Sequence, residues 1–208
     1  MINACIQASE LMLSFRQSTC SRIGDVAVAP TPTDGFVDLA HASNEIAADF
    51  PESRDWRGSP FEWILSVPSA TKGSIGRRLV AEWAANSGFD VRSIRVDGQH
   101  YLDIDELRVQ VKMSTLWSSG IYRFQQIRDR DYDYCLCLGL SPVDAHMWLL
   151  PKEALDIHVI GQLGQHTGID SQETYWFDAG PGVVQSWLEP FGNDPAQVRD
   201  WLADAAGL

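Results

Sequence analysis

One stretch narrows the possible folds more than any other. Tyr134-Cys-Leu-Cys-Leu-Gly-Leu140 carries no charged side chain. A short, continuous apolar run of this kind reads as a strand buried on both faces, inside a sheet. Such a strand needs neighbours on either side and a layer above and below, and the flanking sequence offers both. Gly73 to Ser87 reads as a helix with Ile75, Leu79, Val80 and Trp83 on one stripe and Gly88 as its stop. Val91 to Val96, Tyr101 to Ile104 and Leu107 to Lys112 read as strands, with Asp97-Gly98 and Asp105-Glu106 at the reversals between them. Tyr122 to Arg128 reads as a second helix and Met147 to Leu150 as a short strand. Tyr175-Trp-Phe177 reads as an outer strand. Asn193-Asp194-Pro195 caps a last helix whose Val198, Trp201, Leu202 and Ala205 share a face. Helices alternating with strands predict an α/β fold, a central sheet with helices packed on it.

Nearer the N-terminus, residues 1–35 are weakly patterned. Phe36 to Phe50 reads as a helix, and Ser59-Pro60 opens a short one through Trp63 and Leu65. At 208 residues the expectation is a single domain, and eight Trp, eight Phe and five Tyr demand a core rather than disorder. No apolar run reaches the length of about 18 residues that a membrane helix needs. The first 15 residues carry Glu10 and no basic residue, unlike a secretory signal. The four cysteines form no Cys-x-x-Cys pair, and Cys135 and Cys137 read as small core residues. A cytoplasmic protein without a membrane partner is expected.

The net charge of −12 argues at first against nucleic acid. The charge is uneven, however. Residues 76–130 hold nine basic and seven acidic side chains, a local +2, while residues 131–208 hold two and twelve, a local −10. Salt screens charges more than about 10 Å apart, so a basic face can bind phosphates on an acidic molecule.

Several chemistries are missing. There is no Gly-x-Ser-x-Gly elbow, no phosphate loop ending in Gly-Lys-Ser/Thr, no His-Glu-x-x-His and no Gly-x-Gly-x-x-Gly, so no nucleotide cofactor is expected. The candidate chemistry lies between Glu82 and Lys112. With Asp105-Glu106 as a two-residue tip, Ile104 pairs with Leu107 and Asp103 with Arg108. Alternation then puts Arg108, Gln110 and Lys112 on one strand face, with Asp103 on that same face and Val109 and Val111 turned to the core. The preceding helix could bring Glu82 to the same place. Such a set suits metal-assisted phosphodiester cleavage. Asp103 and Glu82 would supply carboxylates to Mg2+, for which Mn2+ would substitute, and Gln110 would add a neutral oxygen. Lys112 would orient water and stabilise charge at phosphorus. The plainer reading is a solvated hairpin face beside an exposed Arg78–Glu82 pair.

Gly76-Arg-Arg-Leu-Val-Ala-Glu82, followed by Tyr-Leu-Asp103-Ile-Asp and Val-Gln110-Val-Lys112, resembles the core of the PD-(D/E)xK nuclease superfamily, which includes many type II restriction endonucleases. The resemblance covers residues 73–150 and leaves 151–208 as a C-terminal extension. It implies a restriction-endonuclease-like core, a central mixed β-sheet flanked by helices, in the order helix, three antiparallel strands, helix, strand. It makes Asp103, Gln110 and Lys112 the signature positions, with Glu82 as the helix carboxylate. Two departures stand out. Gln110 occupies the usual acidic position two before the lysine, and Leu102 replaces the usual proline.

The expected function is a Mg-dependent DNA endonuclease of restriction or defence type, acting on double-stranded DNA as a homodimer. The alternative is a catalytically degenerate nuclease fold that binds DNA or a protein. Ser114, Thr115, Arg123, Gln126 and Arg128 are the expected DNA contacts. Each is of a type that meets phosphates or base edges, and each also suits a turn or a solvated face.

Overall fold

The computed structural model describes residues 39–40, 55–162, 164–166, 173–182 and 185–208. The expected irregular segment 1–35 lies outside them, as does the expected helix Phe36 to Phe50 apart from Leu39 and Ala40, which are helical. These two belong to the first of two units, residues 1–45; the fold that follows is that of the second, residues 46–208.

Helix α1 spans Glu62–Leu65 and α2 spans Ser69–Asn86. Three antiparallel strands follow: β1 (Val91–Val96), β2 (Gln99–Ile104) and β3 (Leu107–Thr115). Both reversals are two-residue turns with left-handed backbone. Asp97 and Gly98 have φ of 49° and 77°, and Asp105 and Glu106 have φ of 46° and 71°. That geometry matches the twist of a hairpin. The Asp105 backbone N–H donates to the Asp90 carbonyl at 3.0 Å, and the Asp90 N–H donates to the Asp105 carboxylate at 3.3 Å, so the tip is tied to the start of β1.

The apolar run forms β5 (Tyr134–Leu140), parallel to β3 and antiparallel to β6 (Ala145–Pro151). The short β9 (Gly192–Asn193) pairs with β6 and completes a six-stranded mixed sheet in the order β1-β2-β3-β5-β6-β9. Strands β4 (Tyr122–Ile127), β7 (Gly164–His166) and β8 (Thr174–Ala179) make a second, antiparallel sheet in the order β4-β8-β7. Helix α3 spans Lys152–His158, and α4 spans Pro195–Ala206 with the Asp194 carboxylate accepting from the Ala196 N–H at 2.8 Å.

The large sheet has two covered faces. Val109, Val111, Leu102, Ile104, Leu136, Leu138 and Leu149 point toward α2 and α4 and pack with Val80, Ala84, Val198 and Leu202. On the other face, Tyr101, Cys135, Cys137, Trp148 and Leu150 pack against Tyr122, Phe124, Ile127, Tyr175 and Phe177 of the second sheet. Two glycines permit this approach. A Cβ on Gly76 of α2 would lie 2.6 Å from the Cβ of Met113 on β3, and a Cβ on Gly139 of β5 would lie 2.7 Å from the Tyr122 ring. The buried stripe of α2 is therefore Gly76, Val80 and Ala84. Ile75, Leu79 and Trp83 flank it.

Two expectations are corrected. Tyr122 to Arg128 is not a helix but contains strand β4. Its pairing with β8 is regular from Tyr122 to Phe124 and then shifts before Ile127, with Gln126 at φ 57°. The irregularity separates Phe124 from Ile127 by three residues while both stay buried, which imitates helical spacing. No helix intervenes between β3 and β5; β4 takes that position. The Tyr175–Phe177 segment lies in the middle strand of the second sheet rather than at an edge. Among the described residues, no helix is long and apolar enough to cross a membrane.

Candidate functional site

The register of the β2–β3 hairpin is the expected one, with Leu102 opposite Val109, Asp103 opposite Arg108 and Ile104 opposite Leu107. Asp103, Gln110 and Lys112 accordingly share the sheet face that looks toward the second sheet. They do not form one compact cluster. Asp103 lies across from Arg108, and Lys112 is four residues further along β3, about 13 Å at 3.3 Å per residue. Arg108 is itself engaged: its guanidinium donates to the Asp131 carbonyl at 3.0 Å and to the Asp131 carboxylate, and its backbone N–H donates to Asp133 at 2.7 Å.

Gln110 is 7% exposed, and its side-chain oxygen Oε1 has no hydrogen-bond partner. An orphaned acceptor of this kind costs about 1–3 kcal/mol. Lys112 extends over the same face and donates from Nζ to the Gln126 backbone carbonyl at 2.5 Å. Burial pushes the Lys112 pKa below its usual value. The Cys135 and Cys137 sulfurs beneath it oppose that shift, and the guanidiniums of Arg128 and Arg77 reinforce it. No Asp or Glu figures among these neighbours of Lys112.

Arg77 lies on α2, on the other side of the sheet. It follows Gly76, the residue of α2 that presses on Met113, and Met113 is the next residue after Lys112 on β3. It is half-buried, its pKa is lowered by burial, and it has no ion-pair partner among the described residues. Gly76 sets the α2 backbone against Met113, whose side chain leaves β3 on the face opposite Lys112.

Glu82 does not join the group. Helix α2 covers the opposite face of the sheet, and Glu82 is exposed on it, lining a surface hollow with Trp63, Ile75, Arg78 and Leu79. The helical phase that buries Val80 and Ala84 turns Glu82 outward.

The expected DNA contacts divide in the same way. Ser114 is buried; its hydroxyl accepts from the Arg123 N–H at 3.0 Å and donates to the Thr115 carbonyl at 3.1 Å. Thr115 is half-buried at the end of β3, opposite Leu140. Arg123 sits on β4, where it makes a two-pronged ion pair with Asp178 of β8 at 2.7 and 2.8 Å. Its guanidinium also lies 4.3 Å from the Trp176 ring centre and 4.9 Å from that of Trp117. Asp178 holds the Arg123 pKa above its ordinary value. Gln126 gives its carbonyl to Lys112 while its side chain is exposed, and Arg128 follows it, half-buried, with its carbonyl accepting from the Tyr132 hydroxyl at 3.2 Å. Structure thus brings Lys112 to Gln126, two residues before Arg128, and leaves Glu82 and Arg123 elsewhere.

The magnesium ion implied by the resemblance can be tested against this donor set. The orphaned Gln110 oxygen is a suitable ligand atom. The charges are not suitable: a dication beside Gln110 would face Lys112 on the same strand face, with Asp103 displaced along the strand toward Arg108. Among the described residues no three His, Cys, Asp or Glu side chains gather into a metal-holding group. The residues present do not fit a magnesium ion.

No family model matches the chain, and no curated protein does. Among solved structures it is similar to a bacterial homing endonuclease, I-Ssp6803I, at 14% identity and a TM-score of 0.41, over 66% of this chain and 96% of that one.

Proposed function

We propose that this chain is a nucleic-acid-binding protein built on a nuclease-like α/β core, and that it engages the phosphate backbone of double-stranded DNA. The observation that carries the reading is Lys112, whose ammonium is held on the Gln126 carbonyl within residues 76–130, the basic quarter of an otherwise acidic chain. Positive charge held in place by a sheet is what phosphate recognition requires. The test is binding of a labelled duplex across a salt series. Log affinity should fall with log salt at a slope near −0.9 per phosphate contact. Absence of binding at low salt contradicts the proposal.

A second reading, hydrolysis of the phosphodiester, is favoured by one feature. Asp103, Gln110 and Lys112 share a face, and Gln110 leaves an oxygen unpartnered. Incubation of plasmid DNA with the chain and magnesium or manganese separates the two, since cleavage supports hydrolysis and intact plasmid supports binding alone. On the hydrolytic reading a two-fold dimer would bring one site to each strand, and sedimentation with a duplex would detect it.

A further inference from the structure

Trp117 stands on the short loop between β3 and β4 and is 42% exposed. Its backbone is pinned at both ends: the N–H donates to the Ile121 carbonyl at 2.9 Å, and the carbonyl accepts from the Gly120 N–H at 2.9 Å. Gly120, at φ 76°, supplies the left-handed backbone that closes so tight a loop. The Arg123 guanidinium backs the Trp117 ring, 4.9 Å from its centre, and meets the Trp176 ring at 4.3 Å. Arg123 is itself fixed, because its Nε and Nη2 donate to the Asp178 carboxylate at 2.7 and 2.8 Å. Asp178 faces Arg123 in the β4–β8 register, and Trp176 stands two residues before it on the same sheet face. That face is turned away from the core, since Phe124, Tyr175 and Phe177 point the other way. Two tryptophans and an ion pair thus make a fixed stack at the surface, with Trp117 as its exposed member.

We propose that Trp117 is a stacking platform for one unpaired purine base of a bound DNA, its ring covered on one side by Arg123 and open on the other. The inference rests on the nucleic-acid reading and adds to it a contact to a base, made by a residue other than Lys112. Every base has a π-face, so stacking on an aromatic side chain needs no hydrogen-bond code, and a purine offers the larger ring. Charge selects the occupant. The guanidinium draws the π density of the indole toward its own side, which leaves the outer face poor for a second cation and good for an electron-rich ring. Asp178 already balances Arg123, so the stack offers surface rather than charge, and a base held on it should add no salt dependence. The base must be unpaired, since a base within a duplex shows only its edges in the grooves. Trp63 is exposed as well, but it lines the hollow beside α2, and among the described residues no cation lies over its ring.

The test uses the full chain and three fluorescent duplexes of the same sequence: fully paired, with an unpaired adenine in the middle, and with an abasic unit in place of that adenine. Anisotropy is read across a salt series. The unaltered chain should bind the adenine duplex about tenfold more tightly than the abasic one, and that ratio should hold while all three affinities fall with salt. Trp117→Ala should bring the ratio to within about twofold of unity and leave the fully paired duplex within about twofold of its original affinity. Trp117→Phe should keep most of the ratio, and Trp63→Ala all of it. Equal binding of the adenine and abasic duplexes by the unaltered chain, or equal loss of the ratio in Trp63→Ala and Trp117→Ala, overturns the platform, while binding of the paired duplex leaves the nucleic-acid reading standing. A ratio that shrinks toward unity as salt rises also overturns it, because the contact would then be ionic. Tetramethylammonium is the second probe. Loss of the ratio where sodium at equal ionic strength preserves it assigns the ring to a cation and overturns the base assignment. Failure of the unaltered chain to bind any of the duplexes at low salt overturns both readings.

Discussion

The Lys112 ammonium lies 2.5 Å from the backbone carbonyl of Gln126, so the residue best suited to meet a phosphate also rests on the bulge of β4. This contact is held at a cost. Burial and two neighbouring guanidiniums disfavour the charged form, which is why its pKa falls.

Lys112→Met should therefore leave the fold intact and raise its stability at pH 7, by about 1 kcal/mol, because Gln126 is exposed and water can satisfy its carbonyl. The sign with pH is fixed by the lowered pKa. Between the folded value and the unfolded 10.5, the unfolded chain binds the extra proton, so the original protein gains stability as pH rises through that window. Below the folded value the full penalty is present. Urea unfolding of both proteins at pH 7 and near 10.5 should show the gap closing; a gap that widens contradicts the assignment.

Gly76→Ala should destabilise the chain by about 1–3 kcal/mol, although alanine is the better helix former by about 1 kcal/mol. The added methyl would meet the Met113 Cβ at 2.6 Å, where a flexible side-chain end is not available to yield. Gly73→Ala, with open space around it, should instead be stabilising. Thermal unfolding of the two variants tests the pair, and the same sign for both would contradict the close approach of α2 to β3.

Arg123→Met should lower stability by about 1–2 kcal/mol and leave the salt slope of DNA binding unchanged. Its guanidinium already serves Asp178 and two tryptophan rings, so it has little to offer a phosphate. Denaturation and anisotropy on the same variant distinguish this from a direct contact, for which the slope would flatten by about one.

Tyr122 predicts behaviour at alkaline pH. Burial pushes its hydroxyl up to about 12, and it meets His146 Nδ1 at 2.9 Å. A raised folded pKa means that stability is complete below the unfolded value of 10.0 and is lost as pH climbs from there toward about 12. Tyr122→Phe should be about 1 kcal/mol less stable at pH 8 and should lose less between pH 10 and 12 than the original. A steeper alkaline loss in the variant would contradict the origin of the shift.

The parts of the fold governed by local chemistry were legible. Asp97-Gly98 and Asp105-Glu106 accept left-handed backbone, so both turns and the Asp103–Arg108 register followed from neighbouring residues. The apolar run marked β5 because both faces of that strand are buried. Strand β4 was hidden by its own irregularity, since period two is broken between Phe124 and Ile127. The candidate site was legible as a strand face and no further. Which carboxylates reach that face depends on the layer that α2 occupies, and a helical periodicity fixes a buried stripe without saying which side of the sheet receives it. Glu82 was lost for that reason.

The most direct measurement is a crystal structure of the full chain with a short duplex, grown in calcium so that a site able to hold a dication would be filled. The account predicts a backbone phosphate within hydrogen-bond distance of Lys112, with no ion between Asp103 and Gln110. A calcium ion bridging Asp103, Gln110 and the phosphate would contradict it.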